Sequence, residues 1–186
     1  MGLRLPANAD IVFQIHYPGG TNGQQDSTKI NFFFSNASSI RPLYVSPILN
    51  HSTSLTNGPL FIAANQTKTF YGEYNIPAIY GKISMLQVAP HMHLIGRNIQ
   101  SHAVAPNNQT IPLIKINDWN FMWQGGYDFQ QIQVMPVSTT LYFEAMYDNT
   151  SNNPFNPSNP PVNVSEGEAT TDEMMMIYFT YTGYQP

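Results

Sequence analysis

Apolar and polar residues alternate along most of this chain, and period two is the signature of a strand with one face buried. In "ADIVFQIHY" (9–17), Ile11, Phe13 and Ile15 fall on one face, with Val12, Gln14 and His16 on the other. The same alternation predicts strands at "TKINFFFS" (28–35), "RPLYVSPIL" (41–49), "TKTFYGEY" (67–74) and "KISMLQVAPHMHL" (82–94). It continues through "RNIQSHAVA" (97–105), "TIPLIKI" (110–116), "YDFQQIQV" (127–134), "TTLYFEAMYD" (139–148) and "EMMMIYFTYT" (173–182). Turn signals such as "PGGTNG", "TNGP" and "APNNQ" separate them. No stretch carries a capped 3.6-residue period. About ten short strands at such spacing predict an all-β protein, an antiparallel β-sandwich or jelly roll. The Asn- and Pro-rich stretch 149–173 reads as a flexible loop, because Pro and Asn interrupt regular pairing.

Composition sharpens this picture. The 186 residues are 42% hydrophobic and only 10% charged, against about 25% charged in ordinary globular chains. Neutral polar groups must therefore cover the surface, and 19 residues are asparagine. A net charge of -4, with no basic cluster, argues against a nucleic-acid partner. No apolar run approaches the roughly 18 residues of a membrane-spanning helix. There is no cysteine, which excludes disulfides, a thiolate nucleophile, a zinc–cysteine finger and a blue-copper site. Six N-glycosylation sequons begin at Asn36, Asn50, Asn65, Asn108, Asn149 and Asn163. Composition alone gives about three, so they are compatible with a secreted protein without requiring one.

The chemistry concentrates in "APHMHLIG" (89–96). Histidines at i and i+2 of a strand leave the same face, so His91 and His93 are neighbours and Met92 points to the core. Two imidazoles can share a metal ion if a third ligand arrives from elsewhere. That ligand could be a carboxylate, as in a zinc site, another histidine, or a thioether. Met174 and Met176 share one face of their strand and Met175 takes the other, so both are ligand candidates. Core filling is the ordinary use of such a methionine cluster. Trp119, Phe121 and Trp123 alternate and are expected in the core or at its mouth. His51 and His102 have no partner pattern and read as structural or surface residues.

"PHMHLIGR" resembles the copper motif of the type II, ascorbate-dependent copper monooxygenases, the family of peptidylglycine α-hydroxylating monooxygenase and dopamine β-monooxygenase. "DWNFMWQGGY" (118–127) is similar to the family's aromatic segment, "TTDEMMMIYF" (171–179) to its D-E-M segment, and "IVFQIHYPGG" (11–20) to its L-Q-V-H-Y stretch. The resemblance implies an oxygen-binding copper held by His91, His93 and Met174. It also implies that His16 is a ligand of a second, electron-supplying copper, and that Tyr178 lies at the substrate. Residues 1–20 would be the last strand of a preceding copper domain or a linker, and 21–186 the C-terminal jelly-roll domain. The implied reaction is hydroxylation of a C–H bond by O₂, with electrons from ascorbate, outside the cytoplasm in an extracellular or periplasmic space.

The pattern also departs from the family. The His-His pair of the second copper is absent from this chain, so that copper is expected from a further domain. Ala89 stands where amidating members place a substrate-binding Arg, and Met176 where they place an Asn, so the substrate is not expected to be a peptidylglycine. These departures favour an alternative, a non-enzymatic β-sandwich that binds copper or a partner, or that serves in assembly. A zinc hydrolase is the third reading, and it would need a carboxylate in place of Met174.

Overall fold

The computed structural model describes residues 1–15, 17, 20–37 and 39–186. Its contacts divide the chain into two compact units, Met1–Pro42 and Leu43–Pro186.

Among the described residues of the first unit, β1 (Gly2–Leu3) is a strand, where the Gly2 amide donates to the Arg41 carbonyl at 3.1 Å. Tyr17 donates its hydroxyl to Asp26 at 2.8 Å, and Phe32 stacks on Phe34 at 6.4 Å. The alternation at 9–17 and 28–35 does not become strand in any described residue. Its apolar side chains stay largely in solvent: Val12 is 90% exposed and Phe33 96%. An alternating segment becomes a strand only when a neighbour supplies the ladder bonds and a core takes the apolar face. Neither stretch acquires either one within its unit.

The second unit is an antiparallel β-sandwich, with no α-helix among the described residues. One sheet orders its strands β2 (Pro42–Asn50), β11 (Met175–Gly183), β5 (Ile83–Met92) and β8 (Tyr127–Met135). The facing sheet runs β4 (Thr67–Asn75), β9 (Thr140–Asp148), β6 (Gly96–Val104), β7 (Thr110–Ile116). A two-stranded ladder joins β3 (Phe61–Ile62) to β10 (Val164–Ser165). Eight of the ten expected strands thus form, each within two residues of the expected ends. The short β1, β3 and β10 carry too few residues for any period to be read.

Strand β9 shows why the prediction works. Its residues alternate between buried and half-buried, sending Leu141, Phe143, Ala145 and Tyr147 inward. β11 answers from the other sheet with Met175, Ile177 and Phe179, all fully buried. These two strands lie inside their sheets, and the core forms between them.

The segment 149–173 is not the flexible loop its composition suggested. Asn149 is fully buried and its Nδ2 donates to the carbonyls of Ile62, Ala63 and Val162, at 3.1, 3.2 and 2.7 Å. Its Oδ1 accepts from Asn156 Nδ2 at 2.9 Å, and Asn153 Nδ2 donates to the Asp148 carbonyl at 2.7 Å. Asparagine amides do here what strand ladders do elsewhere, satisfying backbone groups that would otherwise be stranded. Two other sequon asparagines have a conformational reason to be asparagine. Asn65 and Asn108 sit at φ of 61° and 64°, the left-handed region that asparagine tolerates better than most residues.

Candidate metal centre

β5 and β11 run antiparallel in register, pairing Met92 with Met175, His91 with Met176 and Ala89 with Tyr178. Met92 and Met175 are fully buried and face the core. His91 and Met176 are therefore direct cross-strand neighbours on the opposite face, where side chains so paired stand about 5 Å apart at Cβ. β5 ends at Met92, so His93 lies one residue beyond the strand rather than within it. Its ring nevertheless stays beside that of His91, with centroids 5.1 Å apart and planes 84° to each other. Met174 immediately precedes β11, and the same register continued by one step sets it opposite His93. The register thus brings the positions of two histidines and two methionines together at one strand-end.

The backbone that presents them is held by Glu173. This carboxyl is fully buried and accepts from His93 N and Ile95 N at 2.9 Å each, and from Met174 N at 3.3 Å. Burial pushes Glu173 up to about 8, against the opposing pull of the backbone amides of His93, Ile95, Met174 and Gly96. Gly96 packs closely here: a Cβ on it would come within 2.9–3.1 Å of the buried Met92 side chain, which would have to shift. From the facing sheet, Tyr147 donates its hydroxyl to the Met174 carbonyl at 2.8 Å. Trp119 donates Nε1 to the His93 carbonyl at 3.2 Å. The turn carrying His93 and the residue carrying Met174 are thereby fixed through backbone atoms rather than through side-chain tips.

The two rings share one tautomer. His91 Nδ1 meets Gln124 Oε1, and Gln124 Nε2 in turn donates to the Phe121 carbonyl at 2.7 Å, which sets the amide's orientation. His93 Nδ1 lies 3.0 Å from the Asp172 carbonyl. Both partners are oxygens that only accept, so both Nδ1 atoms carry the proton and both lone pairs reside on Nε2. Burial lowers the pKa of each ring. For His91 the Gln124 bond opposes it, and for His93 the carbonyls of Asp172 and Ala169 do so. Lowered pKa values keep imidazoles neutral, the state that binds metal.

The surroundings are mixed. Phe121 stands edge-on to His93 at 6.0 Å. Trp119 is buried at the site, but Trp123 is 74% exposed and fills no core, because the chain turns outward after Phe121. Tyr178 is half-buried on the His91 face, with its hydroxyl 3.9 Å from Met176 Sδ. His16 lies outside the described residues. Among the described residues no group of three or more His, Cys, Asp or Glu is gathered to hold an ion.

Four contributors were not placed by the sequence alone. Gln124 was visible only as part of the aromatic segment. In the sequence Asp172 and Glu173 read either as partners that orient an imidazole or as loop charges; Glu173 acts on backbone amides, and Asp172 uses its carbonyl. His51, read as structural or surface, takes the Met175 amide on Nδ1 at 3.2 Å and so anchors the start of β11 beside Met174. His102 stacks on Tyr142 at 5.3 Å and plays no part. No protein-family model matches the chain, and no curated protein matches it.

Proposed function

We propose that this chain is a copper-binding monooxygenase domain that uses O₂ to hydroxylate a C–H bond of an organic substrate. The observation that carries the reading is the histidine pair itself. Each ring is fixed by an Nδ1–H bond to an oxygen, each presents Nε2, and the strand register sets a methionine opposite each. A metal-ligating histidine ordinarily has its second nitrogen tied in this way, which sets tautomer and orientation. Two neutral imidazoles and a soft sulfur suit Cu(I) better than a hard cation, and three protein ligands leave a position open.

Residues that would hold the ion are His91, His93 and Met174, with Met176 the competing thioether. Copper, when bound, supplies the one-electron chemistry and the O₂ activation. The chain's own groups have simpler tasks. Gln124 and the Asp172 carbonyl hold protons on Nδ1. Glu173 and Tyr147 fix the backbone on either side of the site. Phe121 and Trp119 keep water from the back of the His93 ring, and Tyr178 faces the side from which a substrate would approach. The reductant in this reading is ascorbate, with electrons passing through a second copper carried by another domain and His16 among its ligands. The setting is extracellular or periplasmic. The chain has no helix long and apolar enough to cross a membrane among the described residues.

A second reading is a copper-binding β-sandwich without turnover, favoured by Ala89 and Met176 at the positions that would grip a peptide substrate. A Cu(I) titration against a chromogenic chelator tests the site both readings share, using wild type, His91→Ala, Met174→Ile and Met176→Ile. One-to-one binding abolished by His91→Ala and weakened by Met174→Ile supports it. Binding indifferent to all three changes refutes it. Ascorbate-driven O₂ consumption by the copper-loaded protein, with the electron-supplying domain present, then separates enzyme from binding module.

A further inference from the structure

At the opposite end of β5 from the histidine pair is a cavity of about 220 Å³, lined by β2, β4, β5, β11 and the 3₁₀ turn Ala78–Tyr80. Ile83 borders it and His91 is eight residues further along the strand, roughly 26 Å away at about 3.3 Å per residue. Its other edge is Asn50, which pairs with Met176 of β11, so the cavity runs along β2 toward the histidine end; none of His91, His93, Met174 or Met176 lines it, and the inference does not depend on the copper reading.

The cavity's chemistry is narrow. Tyr74, Tyr80 and Tyr181 line it, and Tyr44 stacks on Tyr181 with ring centroids 5.5 Å apart. No acidic or basic side chain is among its walls, so it offers nothing to neutralise a phosphate, a carboxylate or a cation. Asn50 is a wall and not a reader. Its Nδ2 is spent on the Pro47 carbonyl at 3.0 Å, and its Oδ1 accepts from Ser52 N and Thr53 N at 3.0 and 2.9 Å. The hydroxyls of Tyr74, Tyr80, Tyr181 and Ser46 take no protein hydrogen bond among the described residues, which leaves four neutral donor-acceptors facing a space walled by phenol rings and by Ile48, Ile76 and Ile83. Burial and the neighbouring Tyr80, Tyr74 and Tyr44 push the Tyr181 hydroxyl up, so it stays a protonated donor.

We infer that this tyrosine-walled cavity binds one neutral sugar ring. The volume corresponds to roughly seven waters at about 30 Å³ each, below the 300–1,000 Å³ of a pocket for a drug-sized ligand. Phenol faces accept the C–H face of a pyranose, and their hydroxyls meet its hydroxyls without any charge. A purely apolar guest would leave the hydroxyls it covers without a partner, and an ion would find no counter-charge.

The test is a titration of the full chain with glucose, galactose, mannose and N-acetylglucosamine in the millimolar range, followed by amide chemical shifts and saturation-transfer NMR. Benzyl alcohol serves as the apolar probe. Tyr80 is 62% exposed, so Tyr80→Ala leaves the fold intact even if Tyr181→Ala does not. The expected result is saturable binding of at least one sugar, with shifts confined to the cavity, and affinity about tenfold weaker in Tyr80→Ala. Failure of all four sugars to shift the cavity residues overturns the inference. So does tighter binding of benzyl alcohol than of any sugar, or sugar binding unchanged by Tyr80→Ala.

Discussion

Replacing Glu173 tests how the histidine turn is built. The carboxyl accepts from His93 N and Ile95 N at 2.9 Å, and from Met174 N at 3.3 Å, in a fully buried position. Glu173→Ala strands at least the first two amides. A buried donor left without a partner costs about 1–3 kcal/mol, so the pair amounts to about 2–6 kcal/mol. Relief from burying the carboxyl offsets part of this, and a net loss of about 3 kcal/mol is expected. For a chain of this size that lowers Tm by about 6–12 °C. The pH profile adds an independent signature. The folded pKa is raised to about 8 from an ordinary 4.5, so the folded state holds a proton that the unfolded state releases. Stability is then fully present below pH 4.5 and is lost as pH rises through 8. The steepest slope is about 1.4 kcal/mol per pH unit. Urea unfolding followed by tryptophan fluorescence at pH 5, 6, 7 and 8 measures both effects. Glu173→Gln, a neutral isostere of the protonated acid, should lack the slope. A Glu173→Ala loss under about 1 kcal/mol at pH 5, or parallel profiles for wild type and Glu173→Gln, would refute the reasoning.

Tyr147→Phe removes the hydroxyl that caps the Met174 carbonyl; a loss of about 1–2 kcal/mol is expected, together with weaker Cu(I) binding, both measurable on one purified variant. Asn149→Ala deletes three amide–carbonyl contacts and the Asn156 bond at a fully buried position. It should cost about 2–4 kcal/mol by denaturant unfolding. For the same reason Asn149 carries no glycan: mass spectrometry of protein secreted from a glycosylating host should find position 149 unmodified, and modification there would contradict the buried amide. His91 and His93 both have pKa values lowered by burial, so protons compete less with metal. Cu(I) affinity should hold steady as pH falls below the ordinary value of 6.5 and decline only at more acid pH. A decline centred at 6.5 or above would argue against it.

The second unit was legible because period-two alternation and burial agree there. β7 forms at Thr110–Ile116, the residues the pattern names, and β9 keeps its alternation for nine residues. The histidine pair was legible for the same reason, since i and i+2 share a face even though His93 steps past the strand's end. The stretches 9–17 and 28–35 failed because alternation states only which face could be buried, not whether a partner strand exists. The Asn-rich stretch failed differently. Asparagine that solvates a flexible loop and asparagine that binds three carbonyls look alike in sequence, and only the fold brings Ile62 and Val162 to Asn149. Glu173 lies 80 positions from His93, and Gln124 lies 33 from His91; no local pattern reports contacts of that range. The choice between Met174 and Met176 rests on resemblance in the sequence, and the register sharpens it by setting Met176 directly across from His91.

X-ray absorption spectroscopy of the Cu(I)-loaded protein tests the central claim most directly, because sulfur and nitrogen scatter differently in the copper's immediate shell. The account predicts two imidazole nitrogens and one sulfur, with the sulfur lost in Met174→Ile and retained in Met176→Ile. A shell of nitrogen and oxygen alone in the wild type, or a sulfur lost in Met176→Ile and kept in Met174→Ile, would contradict it.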